Sequence, residues 1–390
     1  MKRAGNADRS HKPGPIARLR GFQLPGFGAV GRARNFPYLL LGIALIIFPL
    51  LDSDSSHVNV AADAGHWILL ALGLNIVVGY AGLLDLGYAA FFAIGSYAFA
   101  ILASGQFNIH ISFWVLLPAS TLVAALFGVF LGAPTLRLRG DYLAIVTLGF
   151  GEIVPRVFRN ATPITGGVNG IVGVDQPHLP PILGWNGNFG FNPLPYYYLI
   201  LAILVLSIFL INNLRNSRLG RAWMAIREDE VAAAATGINT VTTKLLAFAL
   251  GASFSGFAGT YYASKLFVVV PESFSFQAVS VVVLVMVVLG GMGNMRGVIL
   301  GAVVIYFIQT YLLIQLPNWI DSATSALNID FLTKLGIGSY VQRSNYLIFG
   351  IILAGIMLLR PQGLIPSAQR KVELEHGTTD EAVSDLRGTA

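Results

Sequence analysis

Ten apolar runs, each 16 to 23 residues long, recur along the chain with few charges inside them: 36–51, 66–84, 86–104, 113–133, 141–159, 194–212, 243–265, 276–293, 297–316 and 345–360. About 20 apolar residues in an α-helix cross the hydrocarbon core of a bilayer. Backbone amides find no water there and must bond within their own segment. The expected fold is therefore an all-α polytopic transmembrane helical bundle with about ten spans. Only 11% of the residues are charged, against roughly a quarter in a soluble domain. That excludes a soluble enzyme, a disordered tail and a nucleic-acid module. Cysteine is absent, which excludes a disulfide frame, a thiolate zinc site, an iron–sulfur cluster and a cysteine nucleophile.

The charges define an orientation. Residues 1–35 carry eight basic groups against one acid, Asp8, and read as a basic cytoplasmic tail held beside anionic lipid. With the N-terminus inside and ten spans, 20 of the 25 Lys and Arg residues fall on inner segments. The outer side receives Arg156, Arg159, Lys265, Lys334 and Arg343. This asymmetry predicts N-in, C-in topology, with 52–63 and 160–193 outside and 213–243 inside. The expected organisation is a tail at 1–35, a transmembrane domain at 36–360 and a cytoplasmic tail at 361–390.

The long inner loop 213–243 contains helix formers from Leu219 to Ala235, with Gly237 as a plausible stop. Leu219, Trp223, Ile226 and Val231 share one face, and Arg221 and Arg227 lie elsewhere. Periodicity alone fits both a helix lying on the bilayer and a helix offered to the groove of a cytosolic partner.

Ionisable residues within the membrane are costly and are functional candidates. Asp85 lies in the glycine-rich break GYAGLLDLGY, and Glu152 lies in the fifth run, which Gly149, Gly151 and Pro155 should interrupt. Glu152 is four residues before Arg156, so an intrahelical ion pair is the alternative role. Asn75, Tyr80 and Tyr88 are further translocation-path candidates, with helix-tying as their alternative. A second break, LGGMGNMRG at 289–297, suggests half-helix ends facing a zwitterionic solute, and tight turns fit it equally well. The six histidines show no ligand spacing, so no metal site is expected. Gly-x-Ser-x-Gly is absent, and 165–170 reads as a turn.

The segment GRAWMAIREDEVAAAATGIN at 220–239 resembles the cytoplasmic coupling loop of the LivM-type permease family of branched-chain amino acid importers. Other blocks agree in order: GLNIVVGYAGLLDLGYAAFFAIGSYAFA at 73–100, LRLRGDYLAIVTLGFGEIVPR at 136–156, TGGVNGI at 165–171, PESFSF at 271–276, VVLGGMGNMRGVILGA at 287–302 and LRPQGL at 359–364. One departure is Val168, where the family usually has proline.

The resemblance implies an ABC importer permease fold with broken helices, in a bacterial inner membrane. Its partners would be a LivH-like sister permease, two cytosolic ATP-binding subunits and a periplasmic amino-acid-binding protein. It also implies that residues 219–238 dock on the ATPase, with Leu219, Gly220, Gly237 and Ile226 shaping the helix and Arg221, Arg227, Glu228, Asp229 and Glu230 as polar contacts. Trp223 would be an apolar contact. No phosphate-binding loop of the glycine–lysine type occurs. No cofactor is thus expected on this chain, and ATP and Mg would be used by the partner subunits. Rival readings are a urea or short-chain amide permease and an ion-coupled secondary transporter, in which Asp85 or Glu152 would hold the ion.

Overall fold

The computed structural model describes residues 42–52, 54–135, 141–179, 187, 189–326, 345–359 and 363–365. The basic tail, most of the C-terminal tail, and Arg137, Arg139, Lys334 and Arg343 lie outside these residues. The chain divides into two units, Met1–Ser53 and Asp54–Ala390. Among the described residues the first contains one short apolar helix, α1 (Gly42–Leu51). Its Ile43, Leu45, Ile46 and Leu50 are exposed.

The second unit is an all-α bundle. Its helices are α2 (Ser55–Leu74), α3 (Tyr88–Leu102), α4 (Phe113–Thr135), α5 (Asp141–Asn160), α6 (Pro193–Asn216), α7 (Arg218–Glu228), α8 (Glu230–Ala235), α9 (Thr240–Leu266), α10 (Val281–Gly290), α11 (Met295–Phe307), α12 (Leu313–Ala326) and α13 (Asn345–Leu359). Wider π-helical turns extend α2 over Asn75–Tyr80, precede α10 over Phe276–Ser280 and join α11 to α12 over Ile308–Leu312. Five helices among the described residues are long and apolar enough to cross a membrane: Ser55–Tyr80, Phe113–Thr135, Pro193–Asn216, Thr240–Leu266 and Met295–Trp319. Gly42–Leu51, Tyr88–Leu102 and Phe276–Gly290 are shorter apolar helices. Helix α5 carries Asp141, Glu152, Arg156 and Arg159 and is the most polar of the long helices. It runs unbroken through Gly149, Gly151 and Pro155, where the sequence suggested an interruption. Gly151 supplies the reason. A side chain there would come within 3.1 Å of the Gly87 Cα, so the glycine serves close packing and not a break.

Helix α9 is the hub and packs against α2, α3 and α4. Small residues bring its backbone into contact with theirs. A Cβ on Gly95 of α3 would lie 2.6 Å from the Gly256 Cα, and one on Gly128 of α4 would lie 2.8 Å from the Phe248 carbonyl oxygen. Lipid is as apolar as any side chain, so such close van der Waals contact, with interhelical hydrogen bonds, is what holds helices together there. The hydrogen bonds are present. Ser96 Oγ donates to the Gly259 carbonyl at 3.2 Å, and the Ser120 and Thr260 hydroxyls meet across α4 and α9.

The two ends of this unit differ. One carries short antiparallel pairs, β1 (Ala103–Ser104) with β2 (Ile109–His110) and β3 (Ile171–Val172) with β4 (Val268–Val269), joined by a bridge between Ser104 and Val174. The turn 165–170 lies here, with Gly166, Gly167 and Gly170 at positive φ. Val168 is exposed in it, so its replacement of proline leaves the packing intact. The other end carries α7, α8 and both glycine-rich breaks.

Replacing Gly95 with isoleucine should drive a side chain into the α9 backbone. Overpacking of this kind costs typically about 1–3 kcal/mol. The folded fraction of the variant, read by size-exclusion chromatography and thermal melting in detergent, should fall. Gly350→Ala, where nothing lies within 4 Å of the new methyl, should leave both readings unchanged.

Candidate functional site

Helix α7 begins where Ser217 turns extended and its Oγ accepts from the Gly220 amide at 3.3 Å, a serine N-cap. Gly220 lets α6 and α7 meet tightly, since a Cβ would lie 2.3 Å from the Arg215 carbonyl oxygen. The apolar face of α7 points into the chain's own bundle. Trp223 is 0% exposed, and its indole Nε1 donates to the Thr243 carbonyl of α9 at 2.7 Å. Ile226 is buried beside it, and Leu219 is half-buried. Trp223 is thus enclosed by the chain's own helices. The tryptophan is spent on seating the loop.

The continuous helix expected from Leu219 to Ala235 is two helices. Asp229 is extended (φ −154°, ψ 111°), and its Oδ1 accepts from Val231 N at 2.8 Å and Ala232 N at 3.0 Å. The aspartate caps a new helix, α8, in place of continuing α7. Glu230 pairs with Lys244 of α9 at 2.5 Å, and that lysine is nearly buried. The pair ties α8 to the start of α9. Gly237 ends the segment at φ +90°, where the sequence placed the stop. Arg221 Nη1 donates to the Asn216 carbonyl at 2.9 Å from the surface. The residues that α7 and α8 leave outward include Arg221, Glu228, Asp229 and Val231, which is 71% exposed.

Arg227 faces the opposite way. Its Nη1 donates to the Gly79 carbonyl at 2.6 Å, at the π-helical end of α2. Gly82 (φ +69°) presses on its stem, where a Cβ would be 2.7 Å from Arg227 Cγ. Gly293 (φ +83°), in the second break, lies against the same guanidinium; a Cβ there would be 3.1 Å from Nη1. The two breaks also bond directly, because Asn75 Oδ1 accepts from the Gly293 amide at 2.9 Å. A third segment clasps the second break. Leu364 N donates to the Leu289 carbonyl at 2.7 Å, Ile365 N donates to the Gly290 carbonyl at 3.2 Å, and Asn294 Nδ2 donates to the Ile365 carbonyl at 3.1 Å. Three sequence blocks far apart in the chain thus converge beneath α7.

The translocation-path candidates separate into two groups. Asn75, Tyr80, Asp85 and Tyr88 are all buried inside the bundle. Asn75 ties the breaks, and the Tyr88 hydroxyl donates to the Gly251 carbonyl at 3.1 Å. Asp85 Oδ1 accepts from Gly87 N at 2.8 Å, while Leu86 N donates to Thr147 Oγ1 at 3.0 Å, so α5 is held to the first break. The cavity at Asp85, about 10 Å³, is too small for a solute. Glu152 is different. It bonds Arg156 at 2.9 Å, with side-chain exposures of 72% for the arginine and 38% for the glutamate. It also lines a cavity of about 360 Å³ that Arg159 and Glu272 share. Arg159 donates through Nε at 3.1 Å, and again through Nη2, to Glu272 Oε1. Sequence reasoning missed this second pair. Its signal was an acid in PESFSF and a base near the end of α5, 113 residues apart. Among the described residues no group of three His, Asp or Glu could hold a metal.

Comparison with known proteins gives the family. The family described as Branched-chain amino acid transport system / permease component matches residues 56–358. The chain is 40% identical over 374 residues to the high-affinity branched-chain amino acid transport system permease protein LivM of Salmonella typhimurium, covering 91% of this chain and 80% of that one. The protein of the same name from Escherichia coli shows the same identity and coverage. The probable branched-chain amino acid transport permease protein LivM of Methanocaldococcus jannaschii is 28% identical over 250 residues, covering 63% of this chain and 67% of that one. No solved structure matches. The family match takes in α2 to α13 almost entire, with both glycine breaks and the loop seated on them, and the chain belongs to the family of branched-chain amino acid transport system permease components.

Proposed function

We propose that the chain is one of two membrane subunits of an ATP-driven ABC importer that moves branched-chain amino acids across a bacterial inner membrane. It crosses the bilayer ten times, with both ends in the cytoplasm. A sister permease completes the path, two cytosolic subunits bind ATP and Mg, and a periplasmic binding protein delivers the amino acid. The chain itself holds no nucleotide or metal.

The observation that carries this reading is the seat of α7. A helix serving only as a connection would need no bond to the membrane core. Here Arg227 links α7 to the Gly79 carbonyl and lies against Gly293, so motion of the helix is felt at both breaks. The outward surface of α7 and α8 is what a cytosolic ATPase would touch, with Val231 as its apolar centre and Arg221, Glu228 and Asp229 around it. Alternating access follows from pushing on that surface. Uptake by vesicles holding this chain without any ATPase, driven by a proton or sodium gradient alone, would overturn the proposal.

Two sets of substitutions test the division of labour. Trp223→Ala removes a fully buried indole, and truncations of this kind cost about 3–5 kcal/mol. The yield of folded chain should drop in detergent before any partner is added. Val231→Asp should leave that yield unchanged and weaken co-purification of the ATPase subunits. Interface anchors commonly contribute about 2 kcal/mol or more.

Arg227→Ala should leave assembly intact and uncouple it. A hydrogen bond from a charged donor contributes about 1.5–3 kcal/mol, so amino acid uptake per ATP hydrolysed should fall by roughly tenfold or more in reconstituted vesicles. Uptake and hydrolysis falling in equal proportion would show that the contact serves folding alone.

A further inference from the structure

The cavity at the far half of α5 is lined by four charged side chains. Glu152, Arg156 and Arg159 stand at positions i, i+4 and i+7 of one helix, and Glu272 faces them from the turn Pro271–Phe274. These are two carboxylates and two guanidiniums, net neutral, in two ion pairs: Glu152 with Arg156, and Arg159 with Glu272. All four side chains are more than a third exposed. Where water reaches such a pair it contributes only about 0–1 kcal/mol to stability, and charges in a chain this apolar are otherwise few. The Arg159 hydrogen bond holds the Glu272 carboxyl below its ordinary range, so its charge is present at neutral pH. The space is about 360 Å³, at the small end of the roughly 300–1,000 Å³ typical of small-molecule sites. Pro155 and Pro271 form part of its wall and present no amide donor.

We propose that this cavity is a weak binding site for the headgroup of a zwitterionic α-amino acid, with the carboxylate taken by Arg156 and Arg159 and the ammonium by Glu152 and Glu272. The assignment rests on the importer reading and deepens it. The argument is one of exchange. A zwitterion brings one charge of each sign, so its carboxylate replaces a glutamate on an arginine while its ammonium satisfies the glutamate displaced. No charge is stranded at any stage. The arginine fork suits a carboxylate through two parallel N–H···O bonds. Because protein pairs are traded for ligand pairs of the same kind, occupancy is weak and release is fast, as a transit point requires. A ligand bearing only one of the two groups would leave one protein charge without its partner and be disfavoured.

The native chain has no cysteine, which gives a direct test. Ser275 lines the cavity, so Ser275→Cys is introduced into the complete transporter, assembled with cysteine-free partner subunits in vesicles. Its alkylation by a small maleimide is timed without ATP and without binding protein. L-leucine at twice its dissociation constant should slow the reaction by about threefold. 4-Methylpentanoate, which lacks the ammonium, and 3-methylbutylamine, which lacks the carboxylate, should each leave the rate unchanged. In the background of Arg159→Gln with Glu272→Gln, protection by leucine should vanish while the thiol still reacts at its unprotected rate. A transporter that takes up leucine yet shows no protection would overturn the site and leave the importer reading standing. Equal protection by both half-ligands would overturn it as a merely apolar pocket, and protection by ligand-free binding protein would overturn it as a docking face. A complex that takes up no branched-chain amino acid would instead defeat the importer reading itself.

Discussion

The close approach of backbones along α9 is the contact on which the rest depends. Gly256 lies against Gly95, and the Ser96 and Thr260 hydroxyls bond across the same seam. In lipid there is no hydrophobic gain from bringing two helices together, so the association must come from packing density and satisfied polar groups. Helix α9 then organises more than the bundle. Its first turns supply the Thr243 carbonyl for Trp223 and Lys244 for Glu230. One helix thus fixes the positions of the membrane core and of the loop that rests on it.

The two ends of the protein use polar groups in opposite ways. Near α7, the bonds are enclosed and directional: Asn75 to Gly293, Arg227 to Gly79, Leu364 and Ile365 to the second break. Each joins segments remote in sequence, and loss of the buried Asn75 bond would leave the Gly293 amide unsatisfied, a loss of about 1–3 kcal/mol. At the far half of α5 the bonds are ion pairs open to their surroundings. Such pairs are worth little to the fold and are readily exchanged. Rigidity is concentrated at one end and replaceable contact at the other.

Much of this was legible from the residues. The apolar runs gave the helices, and the glycines at 166, 167, 170 and 237 marked turns that occur there at positive φ. Other features depended on information that a linear pattern does not carry. Periodicity places Trp223 on an apolar face without saying whether the chain's own bundle or a partner covers it. Glu228-Asp229-Glu230 is compatible with helix throughout, and the split appears only because Asp229 turns its carboxylate onto two following amides. Glu152 is paired with Arg156, the alternative that its spacing suggested. Gly149, Gly151 and Pro155 suggested a broken helix where the glycine instead admits a neighbour.

The guanidinium of Arg227 has a mechanical consequence. Its Nη1 is bonded to the Gly79 carbonyl and lies where a side chain on Gly293 would crowd it, so α7 cannot shift far without disturbing the packing at both breaks. The two turns are geared together, and Asn75 locks their spacing. A state with one break shifted and the other at rest would have to give up the bond between Asn75 and the Gly293 amide. The two turns therefore move as one unit for as long as that bond holds.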